Sequence, residues 1–284
     1  MDSFFSGCIL CGAACAPLKG YEAHFLVRCK KCKLVFASRI PSLDELLACY
    51  AEYPRDNSIS PITLKRCNQL LDHFEAFRKT NKIIDVGAGD GWFLHEAMKR
   101  GWEAYGTEFE DRAVENCRSK GIRMQKGVLD PIHYTPGEFD IVTSFEVVEH
   151  ISNPREEFAY FNRILRPGGL VYVTTPNFNS VSRDLLKSNW DVVHYPEHLT
   201  YYTPSTLTNA FARSGFSRRW ITTAGLSYSR YRHSAGKEGG GLNDEKIRAM
   251  TEHNIVGMLV KRAVNGVLHV SRKGDGIKAE FVKH

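Results

Sequence analysis

The chain has 284 residues, 43% hydrophobic and 25% charged, with a formal charge of +6 spread along its length, a composition that suits one full-sized α/β domain with a smaller appendage. No apolar run approaches the ~18–20 residues needed to span a bilayer, and the N-terminus MDSFFSGCILCG lacks the basic flank and long apolar stretch of a secretory signal, so a cytoplasmic location is expected. The dispersed positive charge reads as a solvated surface that permits an anionic partner, such as a nucleotide or a phosphorylated sugar, without demanding one.

Cysteines crowd the first 32 residues. Cys8-x-x-Cys11 and Cys29-x-x-Cys32 form two knuckles separated by 17 residues. Four thiolates at that spacing close a tetrahedral Zn–S4 site, which lets a short segment fold without a large core. A redox CxxC belongs beside a βαβ unit, and these do not. Cys15 is a competing ligand, while Cys49, Cys67 and Cys117 read as buried or idle thiols in helical text. Arg28, Lys30, Lys31 and Lys33 surround the second knuckle. They either offset the net negative charge of a zinc tetrathiolate or form a small anion-binding footprint.

The module ends near Ile40-Pro41, giving a first unit over 1–40. Residues 41–78 have helix-like apolar spacing broken by Pro54 and Pro61, as expected of a helical linker packed on the following domain. Residues 79–284 then alternate strand and helix, the pattern of a parallel sheet covered by helices. KIIDVG, WEAYGTEF, IRMQKG, FDIVTSFEVV and GGLVYVTTP are the first five strands of this domain. Trp92–Arg100 and Asp111–Lys120 are helices closed by Gly101 and Gly121, and another begins at Asn153-Pro154 with proline at a favoured position. TPSTLTNAFARSGF is a helix with a Ser/Thr-type cap, and SRRWITTAG a sixth strand. Residues 226–274 form an insertion, glycine-rich at 236–241 and helical through 244–262. The alternating DGIKAEFVK is a final strand.

The sharpest constellation is Asp85-Val86-Gly87-Ala88-Gly89-Asp90-Gly91, between the first strand and the first helix of the α/β domain. Open α/β sheets bind ligands there, and glycines let the backbone approach them. Glu108 ends the next strand, 21 residues beyond Gly87, where a carboxylate accepts hydrogen bonds from ribose hydroxyls. A dinucleotide wants G-x-G-x-x-G with its pyrophosphate on the helix N-terminus. Here the loop is G-x-G-x-G and carries Asp90 at that place, which repels phosphate. S-adenosylmethionine (SAM) has a sulfonium, an ammonium and a carboxylate but no phosphate, and suits Asp85, Asp90 and Glu108 better.

These motifs, with FDIVTSFEVVEHI and LRPGGLVYVTTPN, resemble those of the class I SAM-dependent methyltransferases. The fourth-strand ending E-x-x-E-H is similar to that of the ubiquinone-methyltransferase-like branch. The likeness covers about Lys82–Phe216 and implies an α/β, Rossmann-like, seven-stranded sheet with an antiparallel final strand. Carried over by position, it implies that Asp85, Gly87, Ala88 and Gly89 face the methionine part of SAM and Glu108 holds the ribose. Leu129 and Asp130 would then lie against the adenine, with Phe145 flanking the cofactor. The N-terminal cysteine pairs followed by SLDELLxxYxxY resemble the zinc-ribbon head of bacterial methyltransferases of surface-glycan and natural-product pathways. That likeness implies a segment folding over the SAM site, with Tyr50 and Tyr53 closing it.

Methyl transfer to a hydroxyl needs in-line alignment and a base. His150, within Glu146-Val147-Val148-Glu149-His150, and His198, within Tyr195-Pro196-Glu197-His198, are the candidates, with Glu149 beside them. Glu146, Glu149 and His150 could also hold a divalent cation. His194 and Trp190 are candidates for the acceptor pocket. The expected function is methylation of a sugar, nucleotide-sugar or natural-product hydroxyl. The alternatives are an rRNA or tRNA base methyltransferase with a zinc-bearing recognition head, disfavoured by so modest a basic footprint, and a non-enzymatic zinc scaffold that keeps SAM affinity.

Overall fold

A computed structural model of the protein describes residues 3–42, 44–46, 59–226 and 255–284. The N-terminal module contains β1 (Ser3–Phe4), β2 (Cys15–Pro17), β3 (Leu26–Cys29), β4 (Val35–Ala37) and β5 (Arg39–Ile40). β1 pairs with β5, while β2, β3 and β4 form an antiparallel meander. Helix α1 (Pro61–Phe74) follows, its first turn closed by the Ser60 hydroxyl accepting from Thr63 N at 3.2 Å, with proline at the first helical position. It is the part of the expected helical linker that falls within the described residues; Cys49, Tyr50, Tyr53 and Pro54 lie outside them.

The main domain continues as β6 (Lys82–Val86), α2 (Trp92–Lys99), β7 (Glu103–Glu108), α3 (Asp111–Ser119), β8 (Arg123–Lys126), β9 (Phe139–Phe145), α4 (Pro154–Ile164) and β10 (Leu165–Pro176). After these come α5 (Val181–Leu186), β11 (Thr200–Tyr201), α6 (Pro204–Arg213), β12 (Phe216–Ala224), α7 (Ile255–Ser271) and β13 (Gly276–Lys283). Seven strands form one sheet in the order β12-β13-β10-β9-β6-β7-β8. The five from β10 to β8 are mutually parallel, and β13 runs antiparallel between β10 and β12. The expected Rossmann-like sheet with its antiparallel last strand is thus present.

Apolar runs such as KIIDV go to the centre because both faces are covered. One face packs Phe74, Phe93, Leu94 and Trp102 against Ile83 and Ile141. The other packs Phe158, Phe161 and Phe211 against Phe281, with the Phe211 ring stacked on Phe281 at 4.0 Å. The ribbon is not a separate globule, because Cys8, Leu10, Leu34 and Phe36 belong to this second cluster. The helix expected through residue 262 instead runs Ile255–Ser271. The apolar text continues to Val270, and a single Gly266 does not break it. Residues 227–254, with the glycine-rich stretch, lie outside the described residues. Among the described residues, no helix is long and apolar enough to cross a membrane.

One buried carboxylate ties the strand starts together. Asp140, second residue of β9, accepts from the backbone N–H of Lys79, Thr80 and Asn81 at 2.7–2.8 Å and from Arg166 Nε at 2.5 Å. Its side chain is fully buried. Burial alone would raise its pKa. The Arg166 guanidinium and the three amides outweigh that and hold the carboxyl below the usual carboxylate range. Asp140→Ala leaves three backbone donors without their acceptor and takes the carboxylate from Arg166, which still bonds the Pro167 and Phe77 carbonyls, a loss of about 3–5 kcal/mol, and thermal melting should fall by roughly 10 °C. Because the folded-state pKa is depressed, this stabilisation is complete above the unfolded value of ~3.9 and is lost as pH falls through the lower folded value. Urea titrations across pH 3–6 should therefore show an acid-side slope in the native protein that is shallower in the variant.

Candidate active site

The glycine loop is fixed before any ligand arrives. Gly87 and Ala88 both donate to Thr107 O, at 3.0 and 2.9 Å, and Gly89 N donates to Glu108 Oε2 at 2.9 Å. Gly87 sits at φ 78°, and a Cβ there would meet Val147 Cγ2 at 2.4 Å, so only glycine fits. At Gly89, with φ 51°, a Cβ would meet nothing within 4 Å; the constraint there is backbone conformation. The other Glu108 oxygen accepts from Phe109 N and Glu110 N, at 2.7 and 3.2 Å, which orients the carboxylate at the rim.

Asp85 lies at the floor. It is 3% exposed and accepts from Thr143 Oγ1 at 2.7 Å. Burial pushes its carboxyl up to about 7, the Thr143 hydroxyl opposing and the Glu108 charge adding to the shift. A buried acid of this kind holds charge at neutral pH most easily beside a cation. Asp90 accepts from Asn116 Nδ2 at 2.9 Å through its side chain, while its backbone carbonyl accepts from Lys120 Nζ.

A cleft of ≈ 1330 Å³ opens over the loop, lined by Asp85, Gly87, Ala88, Gly89 and Asp90, by Phe93 and Phe145, and by Arg66 and Cys67 of α1. Its far wall is Arg219 and Trp220 of β12 with Lys278 and Glu280 of β13. Sequence reasoning found Phe145 and the loop and expected the 41–78 segment over the site, but missed the last two strands as walls. Nothing in their text marks them, because the register β10–β13–β12 decides which of their residues face the cleft. Leu129 is 1% exposed and packs in the core, outside the lining of the cleft. Asp130 caps the next turn through Ile132 N at 3.0 Å. Cys117 is buried behind the loop, its thiol donating to Gly89 O at 3.2 Å, and burial pushes that thiol up to about 11.

Past Phe145 the chain turns sharply at Glu146, with φ 53°, into a short 3-10 turn carrying Glu149 and His150. His150 and His198 lie edge to face with ring centroids 4.7 Å apart. His150 Nδ1 bonds to Glu197 O at 2.9 Å and His198 Nδ1 to Val192 O at 2.6 Å. A carbonyl only accepts, so each Nδ1 carries a proton. Burial lowers the His150 pKa, against the opposing carbonyls of Glu197 and Glu146 and the Glu197 charge, which favours the neutral ring. Glu149 is 3% exposed and accepts from Thr175 Oγ1 at 2.9 Å. Ligand atoms of Glu149, His150 and His198 lie within 4.8 Å of one another, so the close donor set contains His198 where the sequence suggested Glu146. His194 is on the exposed loop, held by Glu197 Oε2 at 2.9 Å. Trp190 is 1% exposed and packs in an apolar cluster with Tyr21 and Val35, so it is a core residue rather than a pocket wall.

Cys8, Cys11, Cys29 and Cys32 bring their Sγ atoms within 4.8 Å of one another. Cys32 N points at Cys29 Sγ at 3.3 Å. Four soft donors in one shell fit a zinc or similar thiophilic ion. Cys15 lies outside the quartet, its thiol directed to Ala13 O at 3.6 Å.

Comparison with known proteins agrees with this geometry. A family described as "Methyltransferase domain" matches residues 62–218. The ubiquinone biosynthesis O-methyltransferase of Methylococcus capsulatus is 30% identical over 171 residues, covering 57% of this chain and 67% of that protein. Its Thiobacillus denitrificans counterpart is 34% identical over 109 residues, 36% of this chain, and the match spans about half its length, 47%. A SAM-dependent methyltransferase structure from Archaeoglobus fulgidus superposes with a TM-score of 0.53 at 17% identity, covering 78% of this chain and 93% of that one, a likeness of fold. Metal analysis of the purified chain should find about one zinc per molecule. Cys15→Ser should keep it and Cys29→Ser should lose it; equal loss in both would place Cys15 among the ligands.

Proposed function

The chain belongs to the methyltransferase-domain family, and from that premise we propose that it moves the methyl group of SAM onto a hydroxyl of a small molecule, with a histidine as base. The carrying observation is that the strand which ends on the cleft leads directly into the turn bearing the histidine pair. Phe145 stands on the cleft wall at the end of β9, and His150, five residues on, has its ring centroid 4.7 Å from that of His198. The relatives named as O-methyltransferases support oxygen as the acceptor atom. Likeness of the N-terminal ribbon to heads of glycan and natural-product enzymes supports a sugar, nucleotide-sugar or natural-product scaffold.

When bound, SAM supplies a methyl group made electrophilic by its sulfonium. The residues of this chain do the rest. Asp85 sits at the floor to receive the ammonium, and Arg66 on the opposite wall is a partner of the right sign for the carboxylate. Glu108 faces the ribose, with Leu129 and Asp130 toward the adenine. Phe145 and Phe93, packed edge to face at 5.1 Å, keep water from the reacting carbon. The Nε2 of His198 or His150 takes the acceptor proton as the oxygen attacks, and the nearby Glu149 carboxylate stabilises the imidazolium.

Calorimetry on a zinc-assayed sample should show micromolar binding of SAM and S-adenosylhomocysteine; a folded, zinc-loaded chain that binds neither would sink the proposal. Screening sugar, nucleotide-sugar and phenolic acceptors then identifies the substrate. His198→Ala and His150→Ala should keep cofactor affinity, and one should lower kcat by ~10²–10⁴. Because Asp85 titrates near 7 and its charged form binds the ammonium, S-adenosylhomocysteine affinity should weaken up to about tenfold per pH unit below 7. Asp85→Asn should bind weakly with that pH dependence gone.

A further inference from the structure

One β-sheet joins the four-cysteine module to the segment that follows His198. β4 leaves the second knuckle, where Cys29 N donates to Leu34 O at 2.9 Å. Its outer edge pairs with β11, Phe36 opposite Thr200 and Val35 opposite Tyr201. Ala37 N also donates to Leu199 O at 2.8 Å, while Leu199 N donates to Glu149 O at 2.8 Å. Leu199 is therefore a backbone bridge between the ribbon and the turn carrying Glu149 and His150. Thr200 Oγ1 adds a bond to Ile151 O at 3.1 Å, and the Tyr201 hydroxyl donates to His198 O at 3.1 Å. Side chains repeat the pattern. Val35 and Ala37 pack with Val192, Leu199 and Tyr201, and Val192 O is the acceptor that fixes His198 Nδ1.

β11 is two residues long, and among the described residues its only strand partner is β4. So short a strand does not hold its place without the sheet beside it. β4 in turn belongs to a module too small to fold on its core alone, whose four thiols are grouped as the ligands of one metal ion. The hydrogen bonds that fix the glycine loop are made elsewhere, to the end of β7 in the seven-stranded sheet.

We propose that the zinc ribbon is a positioning device for the histidine pair: β4, paired to residues 199–201, fixes His198 against His150, so metal in the four-cysteine site sets the geometry of the base and leaves the cofactor site untouched. The proposal rests on the reading of that pair as the base. It gives the ribbon an internal task in place of nucleic-acid recognition, and makes Leu199 a positioning residue acting through its two neighbours.

The test uses the full chain labelled with ¹⁵N-histidine, zinc-loaded and then stripped by a chelator, with His150→Gln and His198→Gln assigning the signals. Two readouts are taken: S-adenosylhomocysteine affinity by calorimetry, and the imidazole tautomers by long-range ¹H–¹⁵N spectra. Zinc removal should leave affinity within ~3-fold, while both rings leave the Nδ1–H form for the mixture of a free imidazole, and zinc should restore them. Unchanged tautomers in the zinc-free protein would overturn the proposal. Should stripping unfold the whole chain, Ala37→Pro replaces it as the test, removing one donor to Leu199 while sparing every thiol. It should keep about one zinc per chain and cofactor binding yet release the same two rings; rings held as in the native protein would overturn the proposal. Normal turnover by both Gln variants would remove the base assignment alone, because the tautomer readout does not depend on activity.

Discussion

The carboxylate of Asp140 is the point on which the catalytic sheet depends. It gathers the amides that lead into β6 and the guanidinium at the start of β10 onto the start of β9. Three adjacent parallel strands thereby share one origin. Their opposite ends then arrive in register, delivering Asp85, the Phe145–His150 turn and Thr174–Thr175 to one edge. Parallel strands cannot be joined by tight hairpins, so a register lock far from the site is a direct way to align loops that are distant in sequence.

At that edge two kinds of preparation sit side by side. Asp85 is buried, has no cation beside it among the described residues and carries a raised pKa, an unfavourable state that an ammonium would relieve. The imidazoles are prepared differently, each held at Nδ1 by a backbone carbonyl. Neither arrangement needs movement of the glycine loop, whose amides already hold Thr107 and Glu108. Preorganisation of this sort spares the reaction the cost of reorienting dipoles.

The ribbon belongs to the same construction. A head that recognised a separate partner would keep its strand edge and its apolar residues for that partner. Here the β4 edge is taken by β11, and Leu34 and Phe36 pack into the core of the main domain. Arg28, Lys30, Lys31 and Lys33 remain exposed around the knuckle, consistent with offsetting thiolate charge.

The sequence by itself determined whatever is local. Continuous apolar runs made β6, β9 and β10. Ser60, Pro154 and Thr203 set helix starts, the spacing of Cys8, Cys11, Cys29 and Cys32 marked one metal shell, and the Gly87–Gly91 turn with Glu108 located the ligand edge. All of these follow from periodicity, capping or ring closure over a few residues. Tertiary structure alone decided the rest. It put Trp190 in the core, replaced Glu146 by His198 in the close donor set, turned Arg66, Trp220 and Lys278 toward the cleft, and gave the ribbon a strand from residues 200–201. Each of those outcomes rests on register between segments far apart in the chain, and register is set by packing and backbone pairing across the sheet, which no short window of sequence contains.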